Sequence, residues 1–329
     1  MKRNLLNAFY KAGGFRPFHW GMRDQLLILM YHRFSASSHA SRVSADQFRE
    51  HLRYLRKNAN VITLQQGFEA LTNDSPLPAN PVVITIDDGY RDAYDIALPL
   101  LREFNFHATL FAVTDFVDGR CWIWTDVMRY ILQQTAGSGP GTIATSVGEF
   151  QLVGEDSYVD ADAINGRLKK IPDQLKDKVM EEIAAALNVG VPALPTSSFG
   201  PLSWDEIREM DSTNIQIESH SVTHPIFTEI DEARLNEELV RSKARLETML
   251  GRDVSYFCYP NGNVDSREKD AVAAAGYRGA VTTRFGFNKS PVDPFMIDRV
   301  YAPPAIEDFA QCASGFESFK QLMRRGVLP

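Results

Sequence analysis

Short apolar runs rich in β-branched residues alternate with amphipathic helical stretches along most of this 329-residue chain, and that rhythm leaves few folds open. Strands are expected at Leu26–Tyr31, Val61–Thr63, Val82–Ile86 and Ala108–Val113, then at Ile215–Glu218, Ser255–Cys258, Arg278–Thr283 and Met296–Val300. Between them the helical signals are specific. Ser44 and Gln47 form a capping box ahead of Phe48, Leu52 and Leu55 on one face. A helical stretch runs on to Leu71, another covers Asp92–Phe104, and Ser203 caps one through Met210. Asp231 to Leu250 carries Leu235, Leu239, Leu246 and Leu250 on one side and stops at Gly251; a further helix runs from Asp265 to Ala275 and stops at Gly276. Repeated strand–helix units favour a parallel sheet, open or closed into a barrel, and no internal sequence repeat is present. The expected fold class is therefore α/β.

Residues 119–200 break the rhythm. They begin with Trp122 and Trp124, pass through a Gly/Ser/Thr-rich segment (Thr135–Ser146), turn helical around Leu168–Leu187 and end in a Pro/Ser-rich linker. A stretch that long between barrel elements reads as an insertion on one face, functional as a lid or else disordered. The barrel is thus expected over 26–118 and 201–305, with a helical tail over 306–329. Residues 1–25 form a basic and aromatic leader: Lys2, Arg3, Lys11, Arg16 and Arg23 alternate with Phe9, Tyr10, Phe15, Phe18 and Trp20. A secretory signal needs an uninterrupted apolar stretch of roughly 7–15 residues, which this leader lacks. Leu26–Tyr31 is far short of the ~20 residues of a spanning helix. The leader is expected to pack on the domain, with peripheral membrane contact as the alternative, and the chain to be soluble and cytoplasmic. A net charge of −7 implies no general affinity for nucleic acid. Cys121, Cys258 and Cys312 are scattered and odd in number, as in a reducing compartment.

Two segments carry chemistry. Thr85-Ile86-Asp87-Asp88-Gly89 places adjacent carboxylates directly after an apolar strand, where α/β folds put their sites. Their side chains diverge there, so one can bind an ion while the other contacts a water; a solvated Asp-Asp-Gly turn is the bland alternative. His220-Ser221-Val222-Thr223-His224-Pro225 also follows a predicted strand, and its two histidines can face the same way from one helical turn or compact loop. Neutral imidazole is the commonest zinc ligand, and two histidines with one carboxylate leave coordination positions open, as hydrolysis requires.

These two motifs together resemble those of the NodB-homology polysaccharide deacetylases, carbohydrate esterase family 4. The resemblance implies a distorted (β/α) barrel, with Asp88, His220 and His224 holding a divalent metal ion, zinc favoured, and Asp87 as the general base. The family's Arg-x-Pro-Tyr-Gly motif corresponds to Cys258-Tyr259-Pro260-Asn261-Gly262. Asn261 then stands where a backbone N–H serves the oxyanion. Cys258 stands in the arginine's place and cannot orient the base; Arg299, on the last predicted strand, is the candidate substitute. The late Leu-x-His motif that supplies the general acid is missing, since no histidine follows His224. His32, in Leu29-Met30-Tyr31-His32-Arg33, is the candidate. Similar segments open the permuted poly-N-acetylglucosamine deacetylases, whose barrel starts at the strand that closes other members; the strand before His32 is then expected beside the one bearing Met296–Val300, which would close the barrel.

Tyr90 borders the Asp pair and Tyr259 is a further substrate-binding candidate; Trp204, Trp122 and Trp124 are candidates to stack on sugar rings, because pyranose C–H faces favour aromatic surfaces, with core packing as the alternative. The resulting expectation is a metal-dependent hydrolase removing N-acetyl groups from an amino-sugar polysaccharide or lipid-linked glycan. The rivals are an amide or ester deacylase acting on a small metabolite and a catalytically weak carbohydrate-binding protein.

Overall fold

The computed structural model describes residues 2–39, 41–135 and 139–324. In chain order its strands are β1 (Leu27–Tyr31), β2 (Phe34–Ser35), β3 (Val43–Ser44), β4 (Asn60–Val61), β5 (Pro81–Asp88) and β6 (Ala108–Ala112). These are followed by β7 (Gly141–Thr145), β8 (Gly148–Leu152), β9 (Ile215–Ser219), β10 (Tyr256–Cys258), β11 (Gly279–Val281) and β12 (Val300–Tyr301). Eight form one sheet in the order β11-β10-β9-β6-β5-β1-β12, with β4 added on β5. Every pairing in it is parallel. β1, β5 and β6 are buried along their whole length, so they read as continuous apolar runs rather than alternating ones.

The sheet curls until its two ends meet on residues 297–302. Ile297 bridges to Val281 of β11, and Val300 pairs with Leu29 of β1. Ile297 N–H donates to the Ala280 carbonyl and Ala302 N–H to the Met30 carbonyl. A distorted (β/α) barrel results, and its first strand lies beside its last. The last strand expected at Met296–Val300 is displaced: regular pairing covers only Val300–Tyr301, because the segment divides its hydrogen bonds between the two sheet ends.

Helices surround the sheet. Capping boxes at Ser44, Thr63, Ser203 and Asp265 satisfy free amides of the first turns that follow. Thr63, expected in a strand, is thus a helix cap, and β4 ends at Val61. The stretch expected as one helix over Asp92–Phe104 begins with a π-turn at Ala93–Ala97. Pro99 has no N–H to return to the carbonyl four residues back, and Leu98 N–H bonds to the Ala93 carbonyl instead.

The described residues between 124 and 187 form a folded unit rather than an open loop. The β7–β8 hairpin and the helices Trp124–Gln134, Ser157–Leu168 and Asp173–Ala186 bury Met128, Ile131, Phe150, Ile164, Val179 and Ile183 in a core separate from that of the barrel. Part of the Gly/Ser/Thr-rich segment is therefore strand. The leader helices Lys2–Lys11 and Arg16–Gly21 pack against the C-terminal helices Ile306–Ala313 and Phe316–Arg324. Among the described residues no helix is long and apolar enough to cross a membrane.

Candidate active site

The carboxyl ends of the barrel strands open into a cavity of about 400 Å³. Its floor is built from the residues that end or follow β1, β5, β9, β10, β11 and β12: His32, Asp87, Asp88, His220, His224, Tyr259, Asn261, Thr283 and Tyr301. Asp88, Ser221, His224 and Asn261 all have positive φ, between 59° and 79°. Left-handed backbone at non-glycine residues is costly and gathers where a site holds side chains in fixed directions. Gly262, with φ +76°, follows in the same turn; a β-carbon there would collide with Thr283.

Asp88 ends β5, and the two histidines come from the loop after β9, a compact loop rather than a helical turn. Each imidazole Nε2 lies 3.5 Å from Asp88 Oδ1, an oxygen that is buried without a hydrogen bond. His220 Nδ1 is 2.7 Å from the Cys258 carbonyl, so Nδ1 carries a proton and Nε2 is the nitrogen that faces Asp88. Burial takes the His224 pKa down to about 4, which keeps that ring neutral at physiological pH. Burial also disfavours a charged His220, but Cys258, Asp88 and Asp87 outweigh it and hold its pKa well above the ordinary histidine value. Asp88 is likewise penalised by burial, yet the imidazoles keep it well below the usual carboxylate range. A buried anion facing two aligned imidazole nitrogens fits a divalent cation. A second cluster, Asp87, His220 and Cys258, also brings ligand atoms together. It fits less well, because Asp87 is already taken by an arginine and the Cys258 thiol is pushed up by burial.

That arginine is Arg299, fully buried on the strand-closing segment. Its Nη1 and Nη2 donate to Asp87 Oδ1 and Oδ2 at 2.7 and 2.8 Å. Nη1 also reaches Thr85 Oγ1, Nε donates to the Thr282 carbonyl, and Nη2 lies 3.0 Å from Cys258 Sγ. The bidentate pair overcomes the burial penalty on Asp87 and lowers its pKa. His32 lies on the same face, its Nε2 3.7 Å from Asp87 Oδ2 and its side chain 39% exposed to the cavity.

The structure thus gathers Asp87, Asp88, His220, His224, His32, Asn261 and Arg299 around one cavity. Tyr90 and Tyr259 line it too. Tyr90, however, is tied by its hydroxyl to Asp126 beneath the Arg33 guanidinium, and the buried Tyr259 hydroxyl has no partner among the described residues. Trp204 corrects the expectation of a sugar contact. Its indole N–H donates to Asp118 at 2.7 Å, Arg245 covers its ring, and its body packs on the barrel core, away from the cavity. Sequence reasoning missed Glu238, whose carboxylate accepts from the amides of Val222 and Thr223 and pins the histidine loop. The signal was there, since Glu238 interrupts the apolar face of its own helix between Leu235 and Leu239. Also missed were Arg129, Asp162 and Lys169, which line the cavity together with the expected Trp124, whereas Trp122 packs on Tyr130 and Phe199 and donates to the Pro192 carbonyl, away from the cavity.

Fold and site together define an α/β barrel with paired carboxylates and a histidine pair at its strand ends. The chain belongs to the polysaccharide deacetylase family, whose pattern matches residues 74–280, a span that runs across 119–200. YxkH of Bacillus subtilis (strain 168), named among the polysaccharide deacetylases, is 23% identical over 287 residues, covering 87% of this chain and 74% of its own. The poly-beta-1,6-N-acetyl-D-glucosamine N-deacetylase of Escherichia coli (strain K12) is 35% identical over 77 residues, which are 23% of this chain and 12% of that protein. Among solved structures, the deacetylase PplD of Streptococcus pyogenes superposes with a TM-score of 0.60 at 18% identity, covering 88% of this chain and 99% of that one. IcaB from Ammonifex degensii gives 0.58 at 20%, covering 88% and 97%. At these identities the structures speak for the fold.

Proposed function

We propose that this chain is a metal-dependent N-deacetylase acting on an N-acetylated amino-sugar glycan. The observation that carries the reading is the pairing, within one cavity, of an ion-ready triad (Asp88, His220, His224) with a neighbouring carboxylate, Asp87, committed to a buried arginine. The similarity to the Escherichia coli N-deacetylase supports an amide on a sugar as the target. Asp88, His220 and His224 would hold a divalent ion, zinc by their nitrogen-rich donor set, and the ion would supply Lewis acidity.

The chain's own residues do the rest. Asp87, ionised and held by Arg299, accepts the proton of the attacking water. The Asn261 amide, in the turn that follows Tyr259, serves the developing oxyanion. His32, on the opposite strand of the barrel seam, protonates the leaving amine. Trp124, Arg129 and Lys169 line the cavity from the insertion, which supports a role for it in covering the bound glycan.

Acetate release from β-1,6-linked N-acetylglucosamine oligomers, with metal content measured on the same sample, tests the proposal. Metal-dependent release is expected. A metal-loaded protein that frees no acetate from any N-acetylated oligosaccharide overturns it in favour of a binding protein.

A further inference from the structure

We infer that the leader and the last helix form a docking surface for an anionic lipid bilayer. The leader is anchored: Phe15 is buried, and Phe15 and Phe18 pack edge-on against Phe316 at 5.5 and 4.7 Å. Even so, it leaves large apolar groups in water. Trp20 is 79% exposed and Leu5 73%, and Phe9, Phe319 and Met323 are also exposed. Leu5 and Phe9 lie one helical turn apart, as do Phe319 and Met323. Phe9 and Phe319 flank the same ring cluster, so the two stripes adjoin. The other three tryptophans are half-buried.

Charge identifies the occupant. Lys2, Arg3, Lys11, Arg16 and Arg23 stand against Asp24 alone in the first 24 residues of a chain whose net charge is −7. Asp24 is taken by Lys289, and Arg3 lies near Glu307. Lys11, Arg16 and Arg23 have no carboxylate within 4 Å among the described residues, and neither does Lys57. Lys11, Arg16 and Lys57 surround a hollow of about 360 Å³ beneath the Ala12–Gly13 turn. Trp20 follows Arg16 by one turn of the same helix. Free cations interleaved with exposed aromatic and aliphatic groups match a lipid interface, with phosphate headgroups over the hollow and rings at the acyl boundary. A protein partner of this chain's own kind would bring net negative charge and no acyl phase.

The Arg23 end of this surface lies at the amino ends of the strands, where Asn80 N–H, just before β5, bonds to the Arg23 carbonyl. A bilayer bound there leaves the cavity mouth, at the opposite end of the barrel, facing outward. The inference does not depend on the deacetylase reading.

The test is co-sedimentation of the full chain with vesicles of phosphatidylcholine alone or mixed with phosphatidylglycerol. Binding to the mixed vesicles is expected, weakened by salt and at least roughly ten-fold weaker on neutral ones, since each basic residue near an anionic surface strengthens partitioning roughly five-fold. Lys11→Glu/Arg16→Glu and, separately, Trp20→Ser should each lower partitioning by roughly ten-fold or more, with unchanged circular dichroism and acetate release. In the unaltered chain, tryptophan emission should shift to the blue on mixed vesicles, a readout that needs no variant to fold. Equal binding to neutral vesicles, no binding to either, or variants that bind as the parent does would overturn the proposal. So would a dimer in sedimentation velocity that dissociates on Trp20→Ser without any vesicle binding.

Discussion

Asp87 is gripped by both terminal nitrogens of Arg299, whereas its neighbour Asp88 faces two imidazoles and keeps one oxygen without a donor. If the first is the base and the second a ligand, their amides should fail differently. Asp87→Asn should retain a full equivalent of metal and lose roughly 10²–10⁴-fold in kcat; near-normal turnover removes it from that role. Arg299→Lys replaces a fork with a point charge and should cost roughly 10–100-fold, as loss of a supporting partner does. Because Arg299 lowers the Asp87 pKa, the same variant should move the acidic limb of the pH–rate profile to higher pH, a shift that mere loss of packing would not give. The proton inventory is also specific. His224 is already neutral, its pKa near 4, while His220 holds a proton well above the usual range in the ion-free protein. Metal binding should therefore release about one proton near neutrality, with the logarithm of affinity rising with pH at a slope of about one. A slope of two, from potentiometric titration, would show that both rings must be discharged. The Asp and His pairs were legible because each follows a strand that its pattern reveals, a continuous apolar run in β5 and an alternating one in β9. Arg299 was reachable only through the gap that Cys258 leaves in the motif, and Glu238 only as a charge on an apolar stripe.

At the scale of elements, legibility followed burial. β5 and β6 are buried along their full length and announce themselves as apolar runs, and the helix Glu232–Leu250 shows its stripe and its Gly251 stop. The β7–β8 hairpin was invisible because each of its strands buries only its central residue, Ile143 or Phe150, and the remaining positions carry no alternation. β12 was misplaced because its hydrogen bonds are shared between two sheet ends, a tertiary circumstance that no local pattern records. The separate core of residues 124–187 has a thermodynamic consequence. Ile183→Ala should destabilise that unit by about 2–5 kcal/mol, the usual cost of a truncated core aliphatic. Since its apolar contacts are distinct from those of the barrel, the unit should open locally. Hydrogen exchange should quicken over 141–187 while β5 and β6 keep their protection. Uniform loss across both regions would mean that the two cores unfold as one.

Over the whole molecule, the triad joins parts of the chain that are remote in sequence. Asp88 closes β5, the histidines follow β9, and the arginine that fixes Asp87 arrives with the segment that seals the ring. Without an ion, a buried carboxylate and two imidazoles confront one another at 3.5 Å with an unsatisfied oxygen between them. An ion that binds only the folded barrel shifts the unfolding equilibrium by mass action. Free metal at a thousand-fold above Kd is worth about 4 kcal/mol. A stabilisation of that size should raise Tm by roughly ten degrees, given the few degrees per kcal/mol usual for chains somewhat shorter than this one. Chelation should therefore lower Tm by several degrees, and returning zinc should restore it. In His220→Ala, left with two ligands, chelator and zinc should both leave Tm unchanged. A variant still stabilised by zinc to the parent's extent would place the ion elsewhere in the molecule.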